Sequence, residues 1–236
     1  MSESPAMKYG VTFLMLAFGC FVLAVLTWDV VGWLIVLILY AACSFLLLAV
    51  AYFASCPGLL MKRVSGCRSI GTWVIFGPYF LLNAVTYGMC KLVSREPPYA
   101  QVLPNLFFGR RLSASECTAV PWTGVLDLAA EFAESRPLRE LASYKSLPVL
   151  DGTCPTDQQL RFALSWIGAM SSSGPVYIHC ALGHGRSACV VIAYLLSVGE
   201  VNTVESGEQR LQSLRPGVRL STTQYRTLLQ FKASTS

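Results

Sequence analysis

The chain has 236 residues, of which 54% are hydrophobic and 13% charged, with a formal net charge of +5. That balance is too apolar for a wholly soluble protein and too weakly basic for a nucleic-acid binder, and no zinc finger, basic helix or RNA-binding signature accompanies it. Nine cysteines, odd in number and without paired spacing, argue against a disulfide framework or a zinc site and fit a reducing compartment.

The apolar excess is confined to roughly the first ninety residues. After a short polar lead with Lys8, a nearly uncharged segment over residues 10–28 has the length that crosses a bilayer as a helix. It is longer than the apolar region of a signal peptide and lacks a small-residue cleavage site. Asp29 predicts a tight turn, and residues 30–54 a second span, giving a hairpin that Cys56-Pro57-Gly58 closes. Lys62, Arg63 and Arg68 form a short basic loop. A third apolar segment, about 70–90, is interrupted by Gly71, Gly77, Pro78, Asn83 and Gly88. Two paths stay open for it. Its length favours a third span, whereas a re-entrant or interfacial path puts Lys8, Lys62, Arg63, Arg68, Lys91 and Arg95 on one side. The positive-inside tendency favours that second path and a cytoplasmic location for the remainder of the chain. Residues 1–96 are thus read as the α-helical, lipid-contacting anchor of an integral membrane protein.

Arg95-Glu96-Pro97-Pro98 marks a composition shift, and residues 97–236 have an ordinary globular pattern. Leu106-Phe107-Phe108, Gly124 to Leu128 and Leu147 to Leu150 read as strands. Ser113, with Glu116 three residues on, predicts a capped helix, and Thr156 predicts the N-cap of a helix reaching about Met170. Val204 to Leu214 and Ser221 to Phe231 read as closing helices. Strands alternating with helices predict an α/β domain with a central, mainly parallel sheet and helices on both faces.

The chemistry concentrates in His179-Cys180-Ala181-Leu182-Gly183-His184-Gly185-Arg186-Ser187. A short β-like run, Pro175 to Ile178, precedes it, and an all-apolar helical run to Val198 comes after it, stopped by Gly199. The stretch therefore lies between a strand end and a helix start, where backbone N–H groups and the positive end of the helix dipole attract anions. Gly183 and Gly185 let the backbone curl inward. A cysteine at the floor of such a loop is a candidate nucleophile. The planar fork of Arg186 suits two phosphate oxygens, and Ser187 can donate its hydroxyl to the sulfur. Both histidines of the chain, His179 and His184, fall inside this stretch.

His-Cys, five residues, then Arg-Ser resembles the signature of the cysteine-dependent protein tyrosine phosphatases, specifically the small dual-specificity branch. The resemblance covers residues from about 97 to 236; the amino-terminal half resembles no family. It implies a two-step displacement through a phosphocysteine, with residues 181–186 (Ala181, Leu182, Gly183, His184, Gly185 and Arg186) holding the phosphate and no metal or other cofactor. It also implies an aspartic acid as proton donor on a loop before the signature. Asp151, at a strand end beside Gly152, is the first candidate and Asp157 the alternative, although an aspartate one residue past a cap also favours the helix dipole. Asp127, inside an apolar strand, reads as structural. His179 is expected to hydrogen-bond the backbone around Cys180, and His184 either to touch the leaving group or to face solvent. The expected substrate is a phosphorylated protein, with phosphotyrosine, phosphoserine or phosphothreonine; the alternative is a phospholipid headgroup such as phosphatidylglycerophosphate or a phosphoinositide. The five-residue spacing and trailing serine favour phosphoryl over sulfur transfer. Where phosphoinositide phosphatases of the superfamily often carry lysines, this loop has Ala181, Leu182 and His184.

Overall fold

The computed structural model describes residues 5–235, which form two compact units. The first runs to Met61 and resumes over Arg68–Leu92. It contains α1 (Pro5–Leu26), α2 (Trp28–Val31), α3 (Leu34–Phe53) and α4 (Ile70–Val93). The tight turn predicted at Asp29 is the single turn of α2, followed by Gly32 in left-handed backbone, φ +54°. α1 lies along α3 through stacked rings, Tyr9 on Tyr52 at 5.3 Å and Phe13 on Phe45 at 6.3 Å. At Gly10 a side chain would stand 2.7 Å from the ring of Phe53, so this close approach needs a glycine.

Helices α1, α3 and α4 are long and apolar enough to cross a membrane, and only 22%, 33% and 17% of their apolar windows are buried by protein. α4, whose path the sequence left open, is one 24-residue helix with a break at Phe76. Pro78 explains the break, because a proline has no N–H for the carbonyl four residues back and its ring crowds that carbonyl. That carbonyl is Val74 O, and the Tyr40 hydroxyl of α3 donates to it at 2.5 Å instead.

The second unit comprises Lys62–Cys67 and the chain from Val93 onward. Its strands are β1 (Tyr99–Leu103), β2 (Leu106–Gly109), β3 (Gly124–Ala129), β4 (Tyr144–Val149) and β5 (Val176–His179), in the order β1-β2-β5-β3-β4. Among the described strands, β1–β2 is the one antiparallel pair. Alternation along the strands divides the core in two. Leu106, Phe108, Leu126, Leu128, Val149, Val176 and Ile178 face a large cluster built with α6 (Asp157–Ser171), α7 (Arg186–Ser197), α8 (Val204–Leu214) and α9 (Thr222–Thr235). Phe107, Val125, Tyr144 and Tyr177 face a smaller one with Leu112, Trp122 and Leu138. Helices thus cover both faces, long ones on the first side, and on the second the 3-10 turn Cys117–Ala119 and the one-turn α5 (Arg136–Arg139).

α6 begins as expected: Thr156 and Gln159 form a reciprocal capping box. The helix expected after Ser113 does not form beyond one 3-10 turn. Glu116 does return to the Ser113 N–H at 2.9 Å, but Pro121 forces Val120 into extended backbone and stops propagation. β1 carries no clear apolar alternation, since it is an edge strand with Val102 as its one buried residue. β4 begins three residues before the expected Leu147 and tolerates Pro148 because it is the opposite edge.

Candidate active site

β5 is central and buried throughout, ends at His179, and delivers Cys180 to the carboxyl end of the parallel strands, where ligand crevices of α/β sheets open. α7 starts at Arg186 with Gly185 as its N-cap residue, so the intervening loop wraps the positive end of a 12-residue helix. Gly183 has φ +80°, and a Cβ there would fall 2.3 Å from the carbonyl carbon of Gly109. The loop thus rests directly on the end of β2, where the Arg111 N–H donates to Ala181 O at 2.9 Å. Cys180 is 3% exposed; its Sγ accepts the Gly183 N–H at 3.3 Å and lies 3.5 Å from Ser187 Oγ.

Arg186 is buried, and the sequence did not foresee the residue that holds it. Glu131, two residues past β3, takes both guanidinium ends at 2.7 and 2.5 Å, while Val149 O accepts at 2.9 Å. Asp151 adds a contact at 3.0 Å with its own side chain half exposed. Burial works against the charge of Arg186, but Glu131 and Asp151 hold its pKa above the ordinary value. Its Nε has no hydrogen-bond partner among the described residues, which leaves one buried donor for an anion. Asp157, the alternative proton donor, instead makes an exposed pair with Arg161 at 2.8 Å on the first turns of α6. The two aspartates are therefore separated: one is brought to Arg186 and the other to a helix surface.

His179 accompanies Cys180 from below. Its Nδ1 meets Cys180 O at 3.2 Å, and its Nε2 reaches Glu134 Oε2 at 3.0 Å in ion-pair rather than aligned hydrogen-bond geometry. Burial opposes its charge, but Glu134 and then Asp127 raise the imidazole pKa above its usual range. His184 is held by Glu96, Nε2 to Oε2 at 2.7 Å, a partner that neither expectation for its ring had included. Glu96 also meets Arg215 at 3.0 Å, and Arg215 donates to Leu182 O at 3.1 Å and to Pro97 O. The linker that begins directly after α4 thus grips the phosphate loop from outside. At the back of the loop the buried Gln224 ties Thr153 O, on the Asp151 loop, to the start of α9.

Residues 110–234 match the model of the dual specificity phosphatase catalytic domain. Among curated proteins the chain is 31% identical over 170 residues to the phosphatidylglycerophosphate phosphatase PTPMT1 of Arabidopsis thaliana, covering 67% of this chain and 42% of that protein. It is 31% identical over 125 residues to dual specificity protein phosphatase 2 of Homo sapiens, covering 48% of this chain and 38% of that one. The chain thus spans less than half the length of both relatives. The crystal structure of PTPMT1 in complex with PI(5)P shares the fold, with a TM-score of 0.53 at 17% identity over 59% of this chain and 97% of that one. A family match over more than half of the chain, on a loop that cradles a cysteine and an arginine between β5 and α7, establishes that the protein belongs to the dual specificity phosphatases, hydrolases of phosphoric monoesters.

Proposed function

We propose that this phosphatase acts on the phosphate monoester of a phospholipid headgroup, with phosphatidylglycerophosphate the first compound to test. The observation that carries the reading is the linker: Glu96, three residues past a helix of membrane-crossing length, is hydrogen-bonded to His184 of the phosphate loop. Chain connectivity therefore keeps the loop close to the bilayer surface, which raises the effective concentration of lipid headgroups. The alignment with the plant phosphatidylglycerophosphate phosphatase supports it, since it extends over 67% of this chain against 48% for the human dual specificity phosphatase. Residues 1–96 supply the anchor, and residues 97–236, completed by Lys62–Cys67 and Glu96, carry the chemistry. Lys62 before α4 is buried against Asp127 of the unit that follows α4, which requires both ends of α4 on one side and so the re-entrant or interfacial path; the basic residues then share that side and favour a cytoplasmic catalytic domain.

Each residue then has a task. The incoming dianion competes with Asp151 for Arg186, whose geometry Glu131 maintains, and the loop amides of Ala181 to Arg186 take the remaining oxygens. The Cys180 thiolate attacks phosphorus; the S–P bond forms as the P–O bond to the glycerol oxygen breaks, and Asp151, displaced from Arg186 and protonated from solvent through its half-exposed side chain, gives that proton to the leaving oxygen. In the second step Asp151 takes a proton from water as it attacks the phosphocysteine, and the Ser187 hydroxyl, 3.5 Å from the sulfur, stabilises the departing thiolate. His179 positions the Cys180 carbonyl without moving protons. The neutral lip formed by Ala181 and Leu182 suits a headgroup with one phosphomonoester better than a multiply phosphorylated inositol.

A second reading, a membrane-anchored phosphatase of phosphotyrosine, phosphoserine and phosphothreonine proteins, is supported by the human relative. Phosphate release in mixed micelles separates the two. With Cys180→Ser as the blank, the lipid reading requires phosphatidylglycerophosphate to exceed phosphopeptides in kcat/KM by at least about tenfold, a margin of about 1.4 kcal/mol. A peptide preference of that size would replace the lipid reading with the protein one.

A further inference from the structure

The loop between α3 and α4 contributes a side chain that stands outside the catalytic chemistry described above. Lys62 Nζ, its side chain 1% exposed, meets Asp127 Oδ2 at 2.5 Å and donates to Ala129 O at 2.6 Å. The Tyr144 hydroxyl donates to the same Oδ2 at 2.6 Å, and the Ala129 N–H to Oδ1 at 2.9 Å. The other end of this short segment is fastened as well. Gly66 O accepts the Glu134 N–H at 3.0 Å, Gly66 itself packs where a side chain would strike Tyr144, and the Arg139 guanidinium contacts Cys67. Asp127 Oδ1 and Glu134 Oε2 both face His179 Nε2, at 4.0 and 3.0 Å, and His179 is the residue next to Cys180.

The ligand-capable atoms of Asp127, Glu134 and His179 lie within 4.8 Å of one another, a grouping of the kind that can hold a metal ion. Here an ammonium from the loop supplies the cation. Lys62 and His179 face Asp127 and Glu134 in a site whose side chains are almost wholly buried. Burial alone would raise both carboxyls, but Lys62 and His179 hold Asp127 below its usual range, and His179 does the same for Glu134. The other groups facing this cluster include the Tyr144 hydroxyl on β4, Tyr177 of β5, whose ring stacks on His179 at 5.3 Å, and Arg111 and the Cys117 thiol on the Glu134 side.

We propose that Lys62, brought from the loop between two membrane-length helices, is a positioning residue of the phosphatase: by neutralising Asp127 it sets the charge and orientation of His179 beneath Cys180. The proposal rests on Cys180 being the nucleophile. The balance of charge requires Lys62 and Asp127 to act with opposite sign. Without Lys62 the cluster gains one net negative charge beneath the cysteine, which disfavours a thiolate; without the Asp127 carboxylate it gains one net positive charge, which favours it.

The test is the pH dependence of Cys180 alkylation by iodoacetamide in the full-length protein in detergent micelles, with Cys180→Ser subtracting the other cysteines. For Lys62→Met the profile moves to higher pH by about one unit, so that alkylation on the acidic limb is about tenfold slower than wild type. For Asp127→Asn, which keeps the side-chain shape, it moves the other way, and the double variant returns close to wild type. Shifts in the same direction, or none, in variants with an intact thermal unfolding transition would overturn the proposal. Asp127→Asn alone carries the test if Lys62→Met loses that transition. Hydrolysis of p-nitrophenyl phosphate by wild type, absent in Cys180→Ser, is measured in parallel; its failure would sink the nucleophile assignment while the alkylation profiles still report on Lys62.

Discussion

Helices α3 and α7 are both apolar on nearly every side, yet they meet opposite surroundings. In α7, residues Ala188 to Ala193 are fully buried by the sheet and by α6, α8 and α9. In α3, Val36, Leu37, Leu46, Leu47 and Val50 are 47–66% exposed. The difference teaches that apolarity alone does not name the solvent of a helix; length does. Twelve residues fit inside a domain, whereas twenty match the thickness of a hydrocarbon layer. The catalytic unit is held by protein contacts and buried ion pairs, whereas the amino-terminal helices leave most of their apolar surface without protein contact.

Perturbing the two regions separately sharpens this contrast. The largest effect falls on Cys180→Ser, which lowers phosphate release by a factor of about 10⁴ or more while the protein stays in the membrane fraction, as removal of a covalent nucleophile does elsewhere. Glu131→Ala comes next. It leaves Arg186 buried and without its bidentate partner, and the expected loss is about 3–5 kcal/mol of stability, read by denaturant unfolding of the catalytic unit together with lost turnover. Leu47→Arg, on the exposed side of α3, costs about 2.5–3.5 kcal/mol for insertion, measured as a shift out of the membrane fraction. Detergent-solubilised Leu47→Arg retains wild-type kcat on p-nitrophenyl phosphate; a large loss there would mean that the anchor does more than hold the enzyme.

The smallest effect concerns Glu116. Its hydrogen bonds to Arg110 outweigh partial burial and lower its pKa from 4.5 to about 2. Because the folded value is the depressed one, its contribution is complete above the unfolded pKa and is lost as pH falls from 4.5 toward about 2. Glu116→Gln should flatten that part of the stability-versus-pH curve and leave the curve above about pH 6 with a uniform loss of about 1 kcal/mol.

What could be read from the sequence was local. The run from His179 to Ser187 carries its strand, loop and helix start in consecutive residues, and the Thr156 cap and the Val204–Leu214 helix likewise depend on neighbours. What could not be read depended on distant partners. Glu131 stands 55 residues before Arg186, and Glu96 stands 88 before His184, so no spacing rule links them. Asp127 could be read as structural from its apolar strand, but not as half of an ion pair with a lysine 65 residues earlier. The failed helix after Ser113 is a different kind of miss, in which a sound cap signal lost to a proline eight residues on.

That lysine has a consequence for how the protein comes into being. The catalytic unit is not one continuous run of chain, because Lys62–Cys67 is synthesised before α4 and well before the first strand. During translation the cation that Asp127 needs emerges early, between two long apolar helices, and waits for its carboxylate. A soluble fragment cut at Pro97 would carry the whole signature loop and still bury Asp127 without the ammonium that pairs with it, so Pro97 is a place where composition changes but not a place where the enzyme can be severed without cost.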